Sequence, residues 1–560
     1  MKNRIRSLIT LTAVSLLFPS VVPAAVAQAG ARFEVSFAAA VRAQPLTGRL
    51  LIALASKQTP EPRLAVGFTG VPVFAVDIEQ LKPGATAVVD EKALGYPIMN
   101  MNDLPPGDYY AQAVVIVYTE CKRSDGHTIW VNMSQTQTLL SQAPGNLYSD
   151  IQPVRIGPGA RGVVKLQLWK VIPPAPEPVD TEWLKHVKMQ SKLLSRFWGR
   201  PVYIGATVLL PRGYDSHSDS YYPAIYVHEH GVPFMFKTDP STQERERAGA
   251  RSANLQTGYE FYQSWISDGF PRVIGITFRQ PTPFFPSSYS VNSANVGPYG
   301  DALLQEMIPY LEQKFRIIAK PYARLVEGAS TGGWEALALQ LYHPDFFGGA
   351  WVFNPDPIDF HRWQLIDIYE DENAFLLPGS NELYKFERPF RRTVEGQPLT
   401  TQRAMSLFEE VLGTHGRAGG QITAWEAVYG PVGPDGYPVA LWDKLTGKVN
   451  REVANYMRDH GYDLRAYAEQ NWPTLGPKLT GKLNLFNGDM DNFYLNLAVY
   501  RFQDFLKNTQ DPHYEGRFEY GRPMKGHSWH LTDWAGMLRE MAEHIKKNAP
   551  AGEDPAAWNY

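Results

Sequence analysis

Between Leu325 and Trp334 the chain reads Leu325-Val326-Glu327-Gly328-Ala329-Ser330-Thr331-Gly332-Gly333-Trp334. An apolar run is followed by small residues around one serine. Then comes Trp334-Glu335-Ala336-Leu337-Ala338-Leu339-Gln340-Leu341, a stretch of good helix formers. The order is strand, sharp turn, helix, and Ser330 stands at the apex. That is the pattern of a nucleophile elbow, whose strained serine tolerates only small neighbours such as Gly328, Ala329, Gly332 and Gly333. The Thr331 N–H would then point out of a helix N-terminus, where a developing oxyanion is stabilised. A bare G-x-S-x-G recurs by chance, and the alternative is a glycine-rich turn that Ser330 merely caps. The flanking strand and helix are what make the motif informative.

Such a junction belongs in a sheet covered by helices, and the chain beyond Pro178 supplies one. Strand candidates are Val202 to Leu210, Ala224 to Val227, Val273 to Phe278, Arg324 to Glu327, Ala350 to Phe353 and Leu483 to Phe486. They alternate with helical runs such as Leu303 to Phe315, Tyr494 to Leu506 and Trp534 to Ile545. Alternation of this kind predicts an α/β domain, 185–548, with a mostly parallel sheet and a tail at 549–560. A long insertion, at about 355–480, carries Trp363, Tyr369, Phe386, Trp425, Tyr429 and Trp442. An insertion after the strand that follows the nucleophile commonly forms a lid, although most individual rings are expected in its own core.

Upstream, Arg32 to Ile172 alternates in the manner of strands, with turns such as Leu104-Pro105-Pro106-Gly107-Asp108 between them. This predicts an all-β, immunoglobulin-like sandwich over 28–172. Pro173, Pro174, Pro176 and Pro178 mark a stiff linker, 173–184.

Composition sets outer limits. At 20% charged and 44% hydrophobic, the 560 residues suit a soluble globular protein of two or more domains. A formal net charge of −3, with no Lys/Arg run, excludes a nucleic-acid signature. Lys2, Arg4 and Arg6 precede an apolar run from Leu8 to Val22, and Ala25-Val26-Ala27 follows. This is the pattern of a signal peptide, 1–27, and predicts a periplasmic or secreted bacterial protein with no membrane-spanning segment after its removal. Cys121 is the only cysteine, so no intramolecular disulfide or cysteine zinc site can form.

A nucleophilic serine needs a base, and the base needs an orienting acid. In the α/β-hydrolase chain order the acid comes next and the histidine last. Leu483-Asn484-Leu485-Phe486-Asn487-Gly488-Asp489-Met490-Asp491-Asn492-Phe493 is a buried strand ending in an acidic loop, with Asp489 and Asp491 both candidates. The D-x-D alternation lacks a full calcium loop. Gly526-His527-Ser528-Trp529-His530 precedes the last helix, and the loop position makes His527 the base, with His530 as its rival. A second oxyanion donor is expected after the strand at Ala224, from the N–H of Gly231 or Val232. His228-Glu229-His230 looks like a metal cluster, but no third ligand is marked, so neither a metal nor another cofactor is expected.

Val208-Leu209-Leu210-Pro211-Arg212-Gly213-Tyr214-Asp215, then Tyr222-Pro223-Ala224-Ile225-Tyr226, resembles the opening of an esterase family of α/β-hydrolases. The family includes esterase D, S-formylglutathione hydrolases, enterochelin esterases, feruloyl esterases and mycolyltransferases. Pro298-Tyr299-Gly300-Asp301, the elbow, His343-Pro344-Asp345-Phe346-Phe347-Gly348 and Gly526-His527-Ser528-Trp529 are similar to further landmarks. The resemblance implies Ser330 as nucleophile and His527 as base. Because Gly488-Asp489-Met490-Asp491-Asn492-Phe493 is similar to the G-x-x-D-x-F loop of S-formylglutathione hydrolases, it favours Asp491 as the acid. The expected protein is an exported serine hydrolase that cleaves a small-molecule or polysaccharide-linked carboxylic ester, with Thr331 and Gly231 amides holding the oxyanion. A peptidase or acyltransferase on the same fold is the first alternative. A catalytically silent carbohydrate-binding protein is the second.

Overall fold

The computed structural model describes residues 31–134, 140–157, 163–228, 231–555 and 557–560. The expected signal peptide and the Glu229-His230 pair lie outside the described residues.

Eight strands form the larger α/β sheet: β1 (Leu184–Ser191), β2 (Val202–Leu209), β3 (Ala224–His228), β4 (Ile274–Arg279), β5 (Arg324–Ala329), β6 (Gly349–Phe353), β7 (Leu483–Gly488) and β8 (Arg517–Gly521). Their order is β1-β2-β4-β3-β5-β6-β7-β8. β2 runs antiparallel to both its neighbours, and every other pairing is parallel. This is an α/β-hydrolase-like arrangement, and β5 lies near its middle. The central strands are short apolar runs buried on both faces, as a parallel sheet between helical layers requires.

Six helices matter for the site: α1 (Thr331–Tyr342), α2 (Gln402–Leu412), α3 (Gln421–Tyr429), α4 (Leu464–Leu479), α5 (Asn496–Asn508) and α6 (Trp534–Asn548). α1 is buried from Thr331 to Leu341. A helix can be that apolar only when covered on all sides, and α1 packs on the sheet while α4 lies against it.

The N-terminal region is β-rich, as expected. Its principal strands join in one hydrogen-bonded sheet of nine, in which Arg32–Phe37 runs parallel to Val163–Val171. The strand Leu46–Ala55 is buried at every position, which gives it two covered faces. Leu50, Ile52 and Leu54 point into the region's own core with Phe33, Phe74 and Leu166. Leu51 and Ala53 point the other way, into a cluster completed by Leu407, Val411 and Leu412 of α2. The insertion is therefore the second cover of the N-terminal sheet. Within the insertion Trp363, Trp425, Tyr429 and Trp442 are buried, whereas Phe386 is exposed.

Candidate active site

Ser330 sits between β5 and α1 with φ 57° and ψ −119°. For a residue with a Cβ this is a strained conformation that costs about 1–3 kcal/mol and must be imposed by its surroundings. The exit of β6 imposes it: Ser330 N–H donates to Phe353 O at 3.0 Å, and Asp356 N–H donates to Ser330 O at 3.0 Å. The flanking glycines let strand and helix cross closely. A Cβ on Gly328 would collide with the Gly332 backbone, and one on Gly332 with the His228 carbonyl. Ser330 is thus at the carboxyl edge of the parallel strands.

The acidic loop after β7 reaches the same edge. Asp491 is fully buried, and its Oδ1 accepts the N–H groups of Phe493 (2.8 Å) and Leu495 (3.2 Å). Its Oδ2 stands 2.7 Å from His527 Nδ1. Asn492 Oδ1 accepts the His527 N–H at 2.9 Å, and the Phe493 ring lies edge-on to the imidazole with centroids 5.0 Å apart. Burial pulls the His527 imidazole down, but the Asp491 carboxylate outweighs it and leaves the group above its ordinary value. The two rival residues are spent elsewhere. Asp489 Oδ1 accepts the Lys525 N–H at 2.9 Å. His530 donates to Ser528 O at 3.0 Å and stacks on Phe353 at 4.3 Å; burial lowers it to about 4, so it stays neutral.

Asp356, which the sequence reading passed over, is the neighbour that Ser330 and His527 share. Ser330 Oγ donates to its Oδ1 at 3.5 Å. Its Oδ2 accepts from Tyr289 OH (2.7 Å), Thr331 Oγ1 (3.1 Å), Gln421 Nε2 (3.0 Å) and Trp425 Nε1 (3.2 Å). Burial raises this carboxyl against those donors, and the Asp356 and His527 charges each shift the other's titration. An acid three residues past a buried strand, in Asn354-Pro355-Asp356, is the signal that could have found it.

A cavity of about 200 Å³ opens beside the elbow. Ser330 and Thr331 line it with His228, Gln280, Ser287 and Glu335, while Phe278, Phe285 and Pro286 make an apolar wall and Gln421 of α3 closes it from the insertion. Gly231 has φ 102° on the exposed loop after β3 and is not among the residues that line this cavity. A larger, more open cavity of about 320 Å³ lies by α4 and α5, lined by Arg465, Glu469, Arg501 and Asp504, away from Ser330. Among the described residues no group of three or more His, Cys, Asp or Glu is arranged to hold a metal ion, and no helix is long and apolar enough to cross a membrane.

Residues 203–373 match the family model described as "Putative esterase". No curated protein matches the chain. Among solved structures it is similar to a ferulic acid esterase, at 16% identity over 65% of this chain and 98% of that one, with a TM-score of 0.30. FphF, a fluorophosphonate-binding serine hydrolase of Staphylococcus aureus, matches at 14% identity over 65% and 98%, with a TM-score of 0.30. An S-formylglutathione hydrolase from Agrobacterium tumefaciens matches at 11% identity over 66% and 98%, with a TM-score of 0.32.

Proposed function

From a chain that carries an esterase-family domain, we propose an exported serine hydrolase that cleaves carboxylic esters through an acyl-enzyme on Ser330. The observation that carries this reading is the strained Ser330 at one end of the sheet, with half-buried His527 2.7 Å from fully buried Asp491 at the same end. In this mechanism His527 Nε2 takes the proton from Ser330 Oγ as the oxygen attacks the ester carbonyl. Asp491 keeps the proton on Nδ1 and stabilises the imidazolium. The Thr331 N–H, at the head of α1, and the Gly231 N–H, on the loop leaving β3, hold the tetrahedral oxyanion. The imidazolium then protonates the leaving alcohol, and water releases the acyl group by the same steps in reverse order.

Residues 1–27 act as the signal that delivers the protein to the periplasm or the medium. The N-terminal β region, taken as an immunoglobulin-like domain over 28–172, serves as the platform on which the insertion is built.

Hydrolysis of p-nitrophenyl acetate and butyrate by the mature chain tests the reading directly. Ser330→Ala is expected to lower kcat by about 10⁴-fold or more and to abolish labelling by a fluorophosphonate. Equal turnover by mutant and wild type, or labelling that survives the mutation, would remove Ser330 from the chemistry.

A further inference from the structure

The floor of the cavity beside Ser330 holds a buried acid that the proposed hydrolysis does not use. Glu335, in the second turn of α1, is 3% exposed. Its carboxylate meets four hydrogen-bonding groups: Ser287 Oγ at 2.6 Å, Ser290 Oγ at 2.5 Å, Gln280 Nε2 at 3.2 Å and His228 Nδ1 at 2.7 Å. Burial works to raise this carboxyl, but the His228 imidazole and the serine hydroxyls outweigh it and keep it below the usual range. An ionised carboxylate can only accept, so His228 Nδ1 carries the proton. The other ring nitrogen, Nε2, is left to face its surroundings.

That nitrogen is buried and has no hydrogen-bond partner among the described residues, on a side chain 1% exposed that lines the cavity. An unmet buried polar group costs about 1–3 kcal/mol. The ring cannot easily turn away, because Glu335 and Ser290 (3.2 Å) both engage Nδ1 and the main chain of His228 is locked in β3 beside Gly328. The arrangement repeats the logic of Asp491 and His527: a carboxylate holds Nδ1, and the second nitrogen is left without a partner on a side chain that lines the cavity.

Resting on the esterase reading above, we propose that His228 is a substrate-binding residue whose Nε2 accepts a hydrogen bond from a hydroxyl group of the ester. The cavity then takes a hydroxylated acyl or alcohol moiety, such as a hydroxy acid, a glycerol or a sugar, in preference to a plain hydrocarbon chain. Its walls suit such a group: Gln280, Ser287 and Gln421 offer further polar edges, and Phe278 and Phe285 offer rings to the carbon skeleton. Glu335 is the positioning residue, acting through the imidazole it holds.

The test compares matched esters on wild type, His228→Phe and Glu335→Gln. The acyl series is p-nitrophenyl butyrate, 3-hydroxybutyrate and 3-fluorobutyrate, the fluorine being small but unable to donate. The alcohol series is propyl butyrate and glycerol 1-monobutyrate. Wild type is expected to favour the hydroxyl-bearing member of at least one series by about tenfold in kcat/KM. The preference should fall to about unity in both variants. Ratios are read within each protein, so a general loss of activity cancels. The proposal is overturned if wild type treats hydroxyl, fluorine and hydrogen alike and is indifferent to the alcohol. It is also overturned if the preference survives in His228→Phe, or if p-nitrophenyl succinate is the better acyl substrate, because Nε2 would then be a donor to an anion. Wild type that turns over no ester at all would overturn the esterase reading itself, and this inference with it.

Discussion

At the scale of single residues, the site is governed by which carboxylate holds which imidazole. His527 must be neutral to accept a proton from Ser330, and Asp491 keeps its pKa above the ordinary value. The expected kcat/KM therefore declines as pH falls through a midpoint above the usual imidazole value near 6.5. Asp491→Asn should lower kcat by about 10⁴-fold, through the wrong tautomer, and move the acid midpoint of the residual activity downward. An unmoved midpoint in a pH–rate profile would separate Asp491 from the base. The same raised pKa has a stability side. The protonated His527 contributes stability at pH below its unfolded value, and that contribution is lost as pH rises through the folded one. Gly332 makes a second test possible, because a methyl group there meets the His228 carbonyl. Gly332→Ala is expected to cost more than about 3 kcal/mol in a denaturant titration, whereas a helical Gly→Ala with room for the methyl group stabilises by about 1 kcal/mol.

At the scale of elements, strands with continuous apolar runs were legible. Of the eight strands of the α/β sheet, β2 to β7 fall where the sequence predicts them, within a residue or two at each end. β1 and β8 escaped because both are edge strands, where polar residues such as Lys185, Lys188 and Glu519 interrupt the pattern. The elbow was legible because glycine spacing reports backbone crossing. Asp356 and Glu335 were harder to see, since a buried acid recurs at no spacing and only its apolar setting marks it. Glu335 stood in plain view as the one acid in an otherwise uncharged helix, a sign that buried donors await it. Side-chain partners also decide how elements hold each other. Arg49, from the N-terminal sheet, donates through Nε to Val411 O at 3.0 Å and through Nη2 to Glu410 O at 3.2 Å, and pairs with Asp77 at 3.2 Å. It thereby meets the orphan carbonyls at the C-terminal end of α2 with a positive charge. Arg49→Met should destabilise this contact by about 2 kcal/mol and speed hydrogen exchange in 402–412 before the α/β sheet responds. Unchanged exchange there would show that the apolar cluster alone suffices.

At the scale of the molecule, the N-terminal sheet and the insertion share one core. Leu407, Val411 and Leu412 each gain roughly 1.5–3 kcal/mol from burial against Leu51, Val73 and Val114. The hairpin Thr119–Lys122 and Thr128–Val131 also places Cys121, Ile129 and Val131 in the core of the α/β domain. Such sharing predicts one cooperative thermal transition for the whole chain by calorimetry. A fragment beginning at residue 173 should expose the apolar side of α2 and aggregate. Two resolved transitions, or a soluble and active fragment, would count against a shared core.

The Asp356 carboxylate gathers Tyr289 from the loop after β4, Thr331 from α1, and Gln421 and Trp425 from α3. Those contributors are made at very different moments of synthesis. A chain emerging from the ribosome holds Tyr289, its serine and Thr331 by position 331, yet Gln421, Trp425, Asp491 and His527 arrive only as the last third is translated and docked. Nascent or nicked molecules should consequently be inert, and appearance of turnover during refolding should trail the return of secondary structure.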